Sequence, residues 1–185
     1  PMSHAIRIHA YGGPDVMQWE PHDPGEPGRG EALIRQTAVG LNFIDVYERT
    51  GLYPNALPSG LGREGAGVVE ALGPGVRGLA VGERVAYVSS QAGSYAQHRC
   101  MAADRLVTIP DGVSDRLAAA AMLKGLTAQF LLRRTHRVRK GDVVVIHAAA
   151  GGVGLIAAQW ARHLGATVIG VVGSEAKAEF ARGHG

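Results

Sequence analysis

The chain has 185 residues, 46% of them apolar and 19% charged, with a formal net charge of +3 at pH 7. That length allows one domain or two small ones, and the modest charge suits a soluble globular protein rather than a nucleic-acid binder. The 27 glycines fall at turns, which excludes collagen-like and low-complexity chains, and the single cysteine, Cys100, excludes a disulfide framework. No apolar run reaches the roughly 18 residues of a membrane-spanning helix and no signal peptide opens the chain, so no membrane partner and a cytoplasmic location are expected.

Ile6-Arg7-Ile8-His9 alternates as a strand, and Tyr11-Gly12-Gly13-Pro14 turns it. The prolines and glycines from Pro21 to Gly30 predict a turn-rich connection. Glu31 to Val39 is a strand, Asn42 to Arg49 a short helix, and Gly51 to Gly60 a loop with Pro54 and Pro58. Further strands follow at Gly65–Gly73, Arg84–Val88, Tyr95–Met101 and Leu106–Ile109. Strands this short and closely spaced predict a small, partly open β-barrel. From Ser114 the composition changes. Asp115 to Met122 reads as one alanine-rich helix and Leu123 to Thr135 as a second, which places a domain boundary near Leu123. Arg133, Arg134, Arg137, Arg139 and Lys140 form a basic cluster, read as a solvated helix end.

An apolar β-branched run from Val143 to Ile146 then enters the turn His147-Ala148-Ala149-Ala150-Gly151-Gly152-Val153-Gly154. An alanine-rich helical pattern follows, Gly165 stops it, and Thr167 to Val172 resumes as a buried strand. Strand, helix and strand in about 30 residues make one βαβ unit with a parallel sheet. The turn fits the dinucleotide fingerprint at Ala149, Gly151 and Gly154, with alanine in place of the first glycine. A Gly-rich turn in another α/β fold is the alternative, and it leaves the strand that follows on schedule unexplained. The backbone of Ala150, Gly151, Gly152 and Val153 is therefore expected against a pyrophosphate.

NAD-binding units usually carry an acid at the end of the second strand, on the ribose 2′-OH. That slot is Gly173-Ser174 and holds no carboxylate; Glu175 lies past the strand end. Ser174 and Lys177 supply a hydroxyl and a cation for a 2′-phosphate, so NADPH is expected over NADH. Taken alone, Lys177 also suits an ordinary solvated helix. A complete doubly wound domain has about six strands, and only two fall before Gly185. The last pattern, Glu175 to His184, is a helix with no strand after it. The chain is expected to be an N-terminal portion of a longer protein.

Gly40-Leu41-Asn42-Phe43-Ile44-Asp45, Gly51-Leu52-Tyr53-Pro54, Leu57-Pro58-Ser59-Gly60-Leu61-Gly62, Lys124-Gly125-Leu126-Thr127 and the His147–Gly154 turn carry a resemblance that spans nearly the whole chain. Together they resemble the zinc-free quinone oxidoreductase (zeta-crystallin-like) family of the medium-chain dehydrogenase/reductase superfamily. The resemblance implies an α/β protein: a GroES-like, partly open β-barrel over 1–123, then over 124–185 the first part of a Rossmann-type NADPH-binding domain, incomplete in this chain. It also implies a homodimer.

The superfamily's zinc branch needs Cys, His and acidic or sulfur ligands in tetrahedral array. Its usual cysteine falls within Val39 to Asn42, where there is none, and its usual His-Glu pair falls at Arg63-Glu64. No four-cysteine lobe is present, and no metal ligand is expected, His147 being read as a strand-end residue. A dihydronicotinamide already carries its hydride, so without a metal the protein must bind, orient and exclude water. A quinone or conjugated enone accepts hydride with hydrogen-bond donors alone to stabilise the developing oxyanion.

The resemblance places Asn42, Tyr47, Tyr53 and Thr127 around the nicotinamide and the acceptor. Asp45 would orient its neighbours, and Lys124 would contact cofactor or substrate. Each has a plainer reading beside it. Tyr47 and Tyr53 also suit half-buried aromatics with wet hydroxyls, Asn42 a helix cap, and Thr127 a hydroxyl bonding its own turn. The expected activity is NADPH-dependent, metal-free quinone reduction by hydride or single-electron transfer. An alkenal or enoyl reductase, or a cofactor-binding protein with a structural or RNA-associated role, are the alternatives.

Overall fold

The computed structural model describes residues 3–184, which divide into two compact units, one ending at Met122 and the other starting at Leu123. In the first, β1 (Ser3–Ile8) pairs with β2 (Met17–His22) and β4 (Ser59–Gly60) in an antiparallel sheet of order β2-β1-β4. β3 (Glu31–Gly40), β5 (Glu64–Leu72), β6 (Arg84–Val88), β7 (His98–Ala102) and β8 (Val107–Thr108) form an antiparallel sheet of order β7-β3-β5-β6-β8. The two-residue period of β3 turns Ala32 and Ile34 inward and Arg35 and Thr37 outward. Ala32 and Ile34 join Val69, Val85, Tyr87 and Met101 in the core of this unit. The short helix α1 (Phe43–Thr50) follows β3 directly.

Four elements differ from the sequence expectation. β2 runs through Pro21, where a turn was expected, because it is the outer strand of its sheet and an edge strand tolerates a missing N–H. Tyr95–Met101 contracts to β7, with Ala96 reduced to an isolated bridge to Ala5, and Leu106–Ile109 contracts to β8. The two helices expected over 115–135 are one, α2 (Asp115–Phe130), closing in a π turn over Leu131–Thr135. Helix-forming Leu123 and Lys124 carry it past the expected break, and the cost of Gly125, about 1 kcal/mol, is absorbed.

In the second unit β9 (Val143–His147) and β10 (Thr167–Val171) pair in parallel, Val143 opposite Thr167 and His147 opposite Val171. The connecting helix α3 (Gly152–His163) buries Gly154, Ala157, Ala158 and Ala161, a single stripe at helical spacing. Ala157 and Ala161 pack with Val144, Ile146 and Val168 of the strands and with Ala128 and Leu132. α4 (Glu175–Gly183) follows β10. No helix among the described residues is long and apolar enough to cross a membrane.

Candidate functional site

The turn after β9 is shaped by one strained residue. Ala148 has φ +51°, a left-handed conformation unusual for a residue with a Cβ. The tight turn therefore sits one residue before Ala149, where the fingerprint's first glycine was expected. Gly151 N–H bonds the Ala148 carbonyl at 2.8 Å, and Ala149 N–H reaches Val171 O on β10 at 3.2 Å. Gly151 caps α3 and supplies no side-chain acceptor, so the first-turn N–H groups of Gly152, Val153 and Gly154 point out of the helix end. A Cβ on Gly154 would lie 2.3 Å from the Ala148 carbonyl oxygen, and one on Gly151 3.1 Å from the same atom. Both glycines are there for close approach: Gly154 lets α3 meet β9, and Gly151 leaves its outer face bare.

A cleft of about 460 Å³ opens beside this turn, walled by Ala148, Ala150 and Gly151 on one side and by Val171, Val172, Gly173 and Lys177 on the other. Ser174 caps α4, its Oγ accepting the Lys177 N–H at 3.4 Å, and a hydroxyl that accepts still has its own hydrogen to donate. Glu175 is turned along α4 to an ion pair with Arg182 at 3.0 Å. The β10 end thus presents a hydroxyl, a lysine and backbone N–H groups, a donor set that suits a phosphate group. The aliphatic stem of Lys124 lies over Gly152, where a Cβ would come within 2.7 Å of Lys124 Cδ. Thr127 Oγ1 donates to Leu123 O at 2.7 Å, within its own helical turn. His147 is the last residue of β9 and is exposed.

The first unit places Asn42, Asp45, Tyr47 and Tyr53 on and around α1, in two stripes of opposite character. The inward stripe is acidic. Asp45 and Glu48, one turn apart, are 4% and 1% exposed, while Phe43 is 76% exposed. Asp45 Oδ2 accepts the backbone N–H of Asn42 at 2.9 Å and the hydroxyl of Tyr95 at 2.8 Å. Asn42, at the N-cap, donates from Nδ2 to the buried Glu64 Oε1 at 2.7 Å. Glu48 is paired with Arg63, whose Nε donates to Oε1 at 2.8 Å.

Burial pushes the Asp45 carboxyl above its ordinary value against the bonds from Asn42 and Tyr95, and the charges of Glu48 and Glu64 add to the rise. Burial, with Asp45 alongside, likewise pushes the Tyr95 hydroxyl up. The outward stripe is aromatic: the Phe43 and Tyr47 rings lie 6.0 Å apart, and Tyr47 meets Tyr53 edge-on at 5.3 Å. Tyr47 is half-buried and Tyr53 exposed.

Glu48, Arg63, Glu64 and Tyr95 complete a network that the sequence reading did not anticipate beyond Asp45 as an orienting group. Its one local signal is the Asp45/Glu48 spacing, which puts both acids on one helix face, away from Phe43 and Tyr47. The two positions that matter in the zinc branch are otherwise engaged, Arg63 with Glu48 and Glu64 with Asn42. Among the described residues no group of three or more His, Cys, Asp or Glu side chains is placed to share a metal ion.

Residues 28–111 match the alcohol dehydrogenase GroES-like domain family. Over all 185 residues the chain is 52% identical to a quinone oxidoreductase of Pseudomonas aeruginosa, of which it covers 57%. It is 50% identical to a 2-haloacrylate reductase of a Burkholderia species, with 96% of the chain and 55% of the relative covered. The crystal structure of Escherichia coli quinone oxidoreductase complexed with NADPH superposes with a TM-score of 0.95 at 45% identity, over 98% of this chain and 56% of that one. The chain thus spans little more than half the length of the relatives it matches. With a GroES-like domain followed by a βαβ unit, and identity near one half along its whole length, the chain is similar throughout to the quinone oxidoreductases of the medium-chain dehydrogenase/reductase superfamily.

Proposed function

We propose that the intact protein reduces quinones with NADPH and without a metal ion. The observation that carries this reading is the cleft beside the β9–α3 turn, with the bare backbone of Ala150 and Gly151 on one wall and Lys177 on the other, next to a helix end whose first-turn N–H groups are uncapped and to the Ser174 cap of α4. Gly151 and Gly154 leave the backbone bare there, and Glu175, the nearest acid in sequence, is spent on Arg182. The turn would hold the pyrophosphate, while Lys177 and the Ser174 hydroxyl would hold the 2′-phosphate that separates NADPH from NADH. When bound, the dihydronicotinamide supplies the hydride. In the first unit, the Tyr47–Tyr53 edge offers a flat apolar surface and two hydroxyls, each able to donate to a carbonyl oxygen that gains charge. Asn42, held at its amide by Glu64 and at its N–H by Asp45, would orient the reactants, and the resemblance assigns Lys124 and Thr127 contacts to cofactor or substrate. A homodimer is part of the same reading.

A second reading, reduction of conjugated carbonyl compounds, is favoured by the likeness to 2-haloacrylate reductase. The test is NADPH oxidation by the intact protein with a simple benzoquinone, with a conjugated enal, and with NADH in place of NADPH, each with and without a chelator. Quinone turnover preferring NADPH and indifferent to chelation is expected. Enal turnover alone moves the assignment to the second reading. Equal rates with NADH remove the role of Lys177, and tight NADPH binding with no acceptor turned over points to a binding protein.

A further inference from the structure

Ala149 occupies the place of the fingerprint's first glycine, and its methyl group is buried. The space for that methyl is made on the neighbouring strand. Gly170 of β10 has no Cβ, and one built there would lie 2.9 Å from the Cβ of Ala149. Two carbons settle about 3.5–4.0 Å apart, and an alanine methyl has no rotamer by which to withdraw, so the backbone itself would have to move. Gly170 is not among the glycines of positive φ, so conformational freedom does not account for it. A strand-interior glycine often marks a close approach, and here the approaching group is Ala149.

The contact lies next to the cleft, in an adjoining cavity that Ala149 and Gly170 line with Ala158, Val168 and Val172. Ala148 and Gly151, which flank Ala149 on the turn, form one wall of the cleft, while Val171, Val172 and Gly173, which follow Gly170, form the other. The Ala149 N–H bonds to Val171 O at 3.2 Å, so the walls are tied by one hydrogen bond and held apart by one methyl group. We infer that Gly170 is a positioning residue for the dinucleotide: it admits alanine at the first fingerprint position and fixes the spacing of the two walls. The inference rests on NADPH occupying this cleft, as proposed above. The missing glycine of the turn has in effect moved across to β10.

The test is a double-mutant cycle in the intact protein between Gly170→Ala and Ala149→Gly, reading the NADPH dissociation constant by fluorescence titration and the thermal midpoint. Adding Gly170→Ala to the parent is expected to weaken NADPH binding about tenfold. Adding it to the Ala149→Gly background is expected to cost less than about threefold, because the opposing methyl is gone. Equal losses in both backgrounds, or no loss in the parent, overturn the inference. Should the parent not bind NADPH, the cofactor reading fails instead, and the midpoints then decide. A Gly170→Ala loss that disappears in the Ala149→Gly background upholds the contact, and a loss of the same size in both removes it.

Discussion

The two units each carry a short helix beside their candidate site residues, and the two helices are held by opposite means. α3 lays Gly154 and three alanines in its buried stripe, and its contacts are those of close packing. α1 turns Asp45 and Glu48 inward and leaves Phe43 outside. Packing is indifferent to pH and intolerant of added volume. A buried network of charged groups tolerates small changes of shape, but not the loss of a partner. One close-packed βαβ unit and one acid-lined helix thus give the same protein two distinct ways to fail.

The largest effect is expected where a charge is stranded. Arg63→Met leaves Glu48, 1% exposed, without its cation, and removing one member of a buried pair costs about 3–5 kcal/mol. Urea unfolding of the intact protein checks this, and a loss below about 1 kcal/mol would mean that α1 is not held by charge. Next comes volume. Gly154→Ala places a Cβ 2.3 Å from the Ala148 carbonyl oxygen, and overpacking of this kind costs about 1–3 kcal/mol. The loss should be the same at every pH, and a loss that varies with pH would blur the contrast between the helices.

The third prediction uses pH directly. Asp45 titrates above its ordinary value in the folded chain, so the folded state binds the proton more readily than the unfolded one. Its ionisation therefore erodes stability as pH rises from the ordinary carboxylate value through the raised one. Asp115 has the opposite sign, its carboxyl held down by the Thr37 hydroxyl and by Arg84. It adds stability above the ordinary value and loses it as pH falls through the lowered one. Unfolding midpoints across the acid range should therefore show Asp45→Asn gaining on the parent as pH rises and Asp115→Asn losing ground. Parallel curves would mean that neither carboxyl is perturbed. The smallest effect belongs to the outward stripe: Phe43→Ser, at a 76% exposed position, should change stability by no more than about 0.5 kcal/mol. Any larger loss would place Phe43 in the helix's support.

The same contrast explains what could be read from the sequence. The βαβ unit was legible because its signals are local: a β-branched run, a Gly-rich turn and helical spacing of small residues, all within one stretch. α1 was legible as a helix but not in its orientation, since Phe43-Ile44-Asp45-Val46-Tyr47-Glu48 suggests acids outward and aromatics inward. What reverses it is distant in sequence: Arg63, Glu64 and Tyr95 reach α1 and its cap from the residue before β5, from β5 itself and from the segment before β7. β2 was hidden by Pro21, which is harmless only because the strand lies at an edge, a fact of topology rather than of composition. The exchange between Ala149 and Gly170 was equally invisible, because a departure at one position is answered 21 residues later, on another strand.

Arg63 stands where the resemblance would set the histidine of the zinc branch, and it is paired with Glu48. A single Arg63→His step would remove the guanidinium that Glu48 depends on before any new ligand set could form. Changing Glu48 first would, on its own, leave Arg63 without its anion. Each residue makes the other's replacement deleterious, so the pair works as a lock: the ion pair that steadies α1 also resists single substitutions at either of its positions.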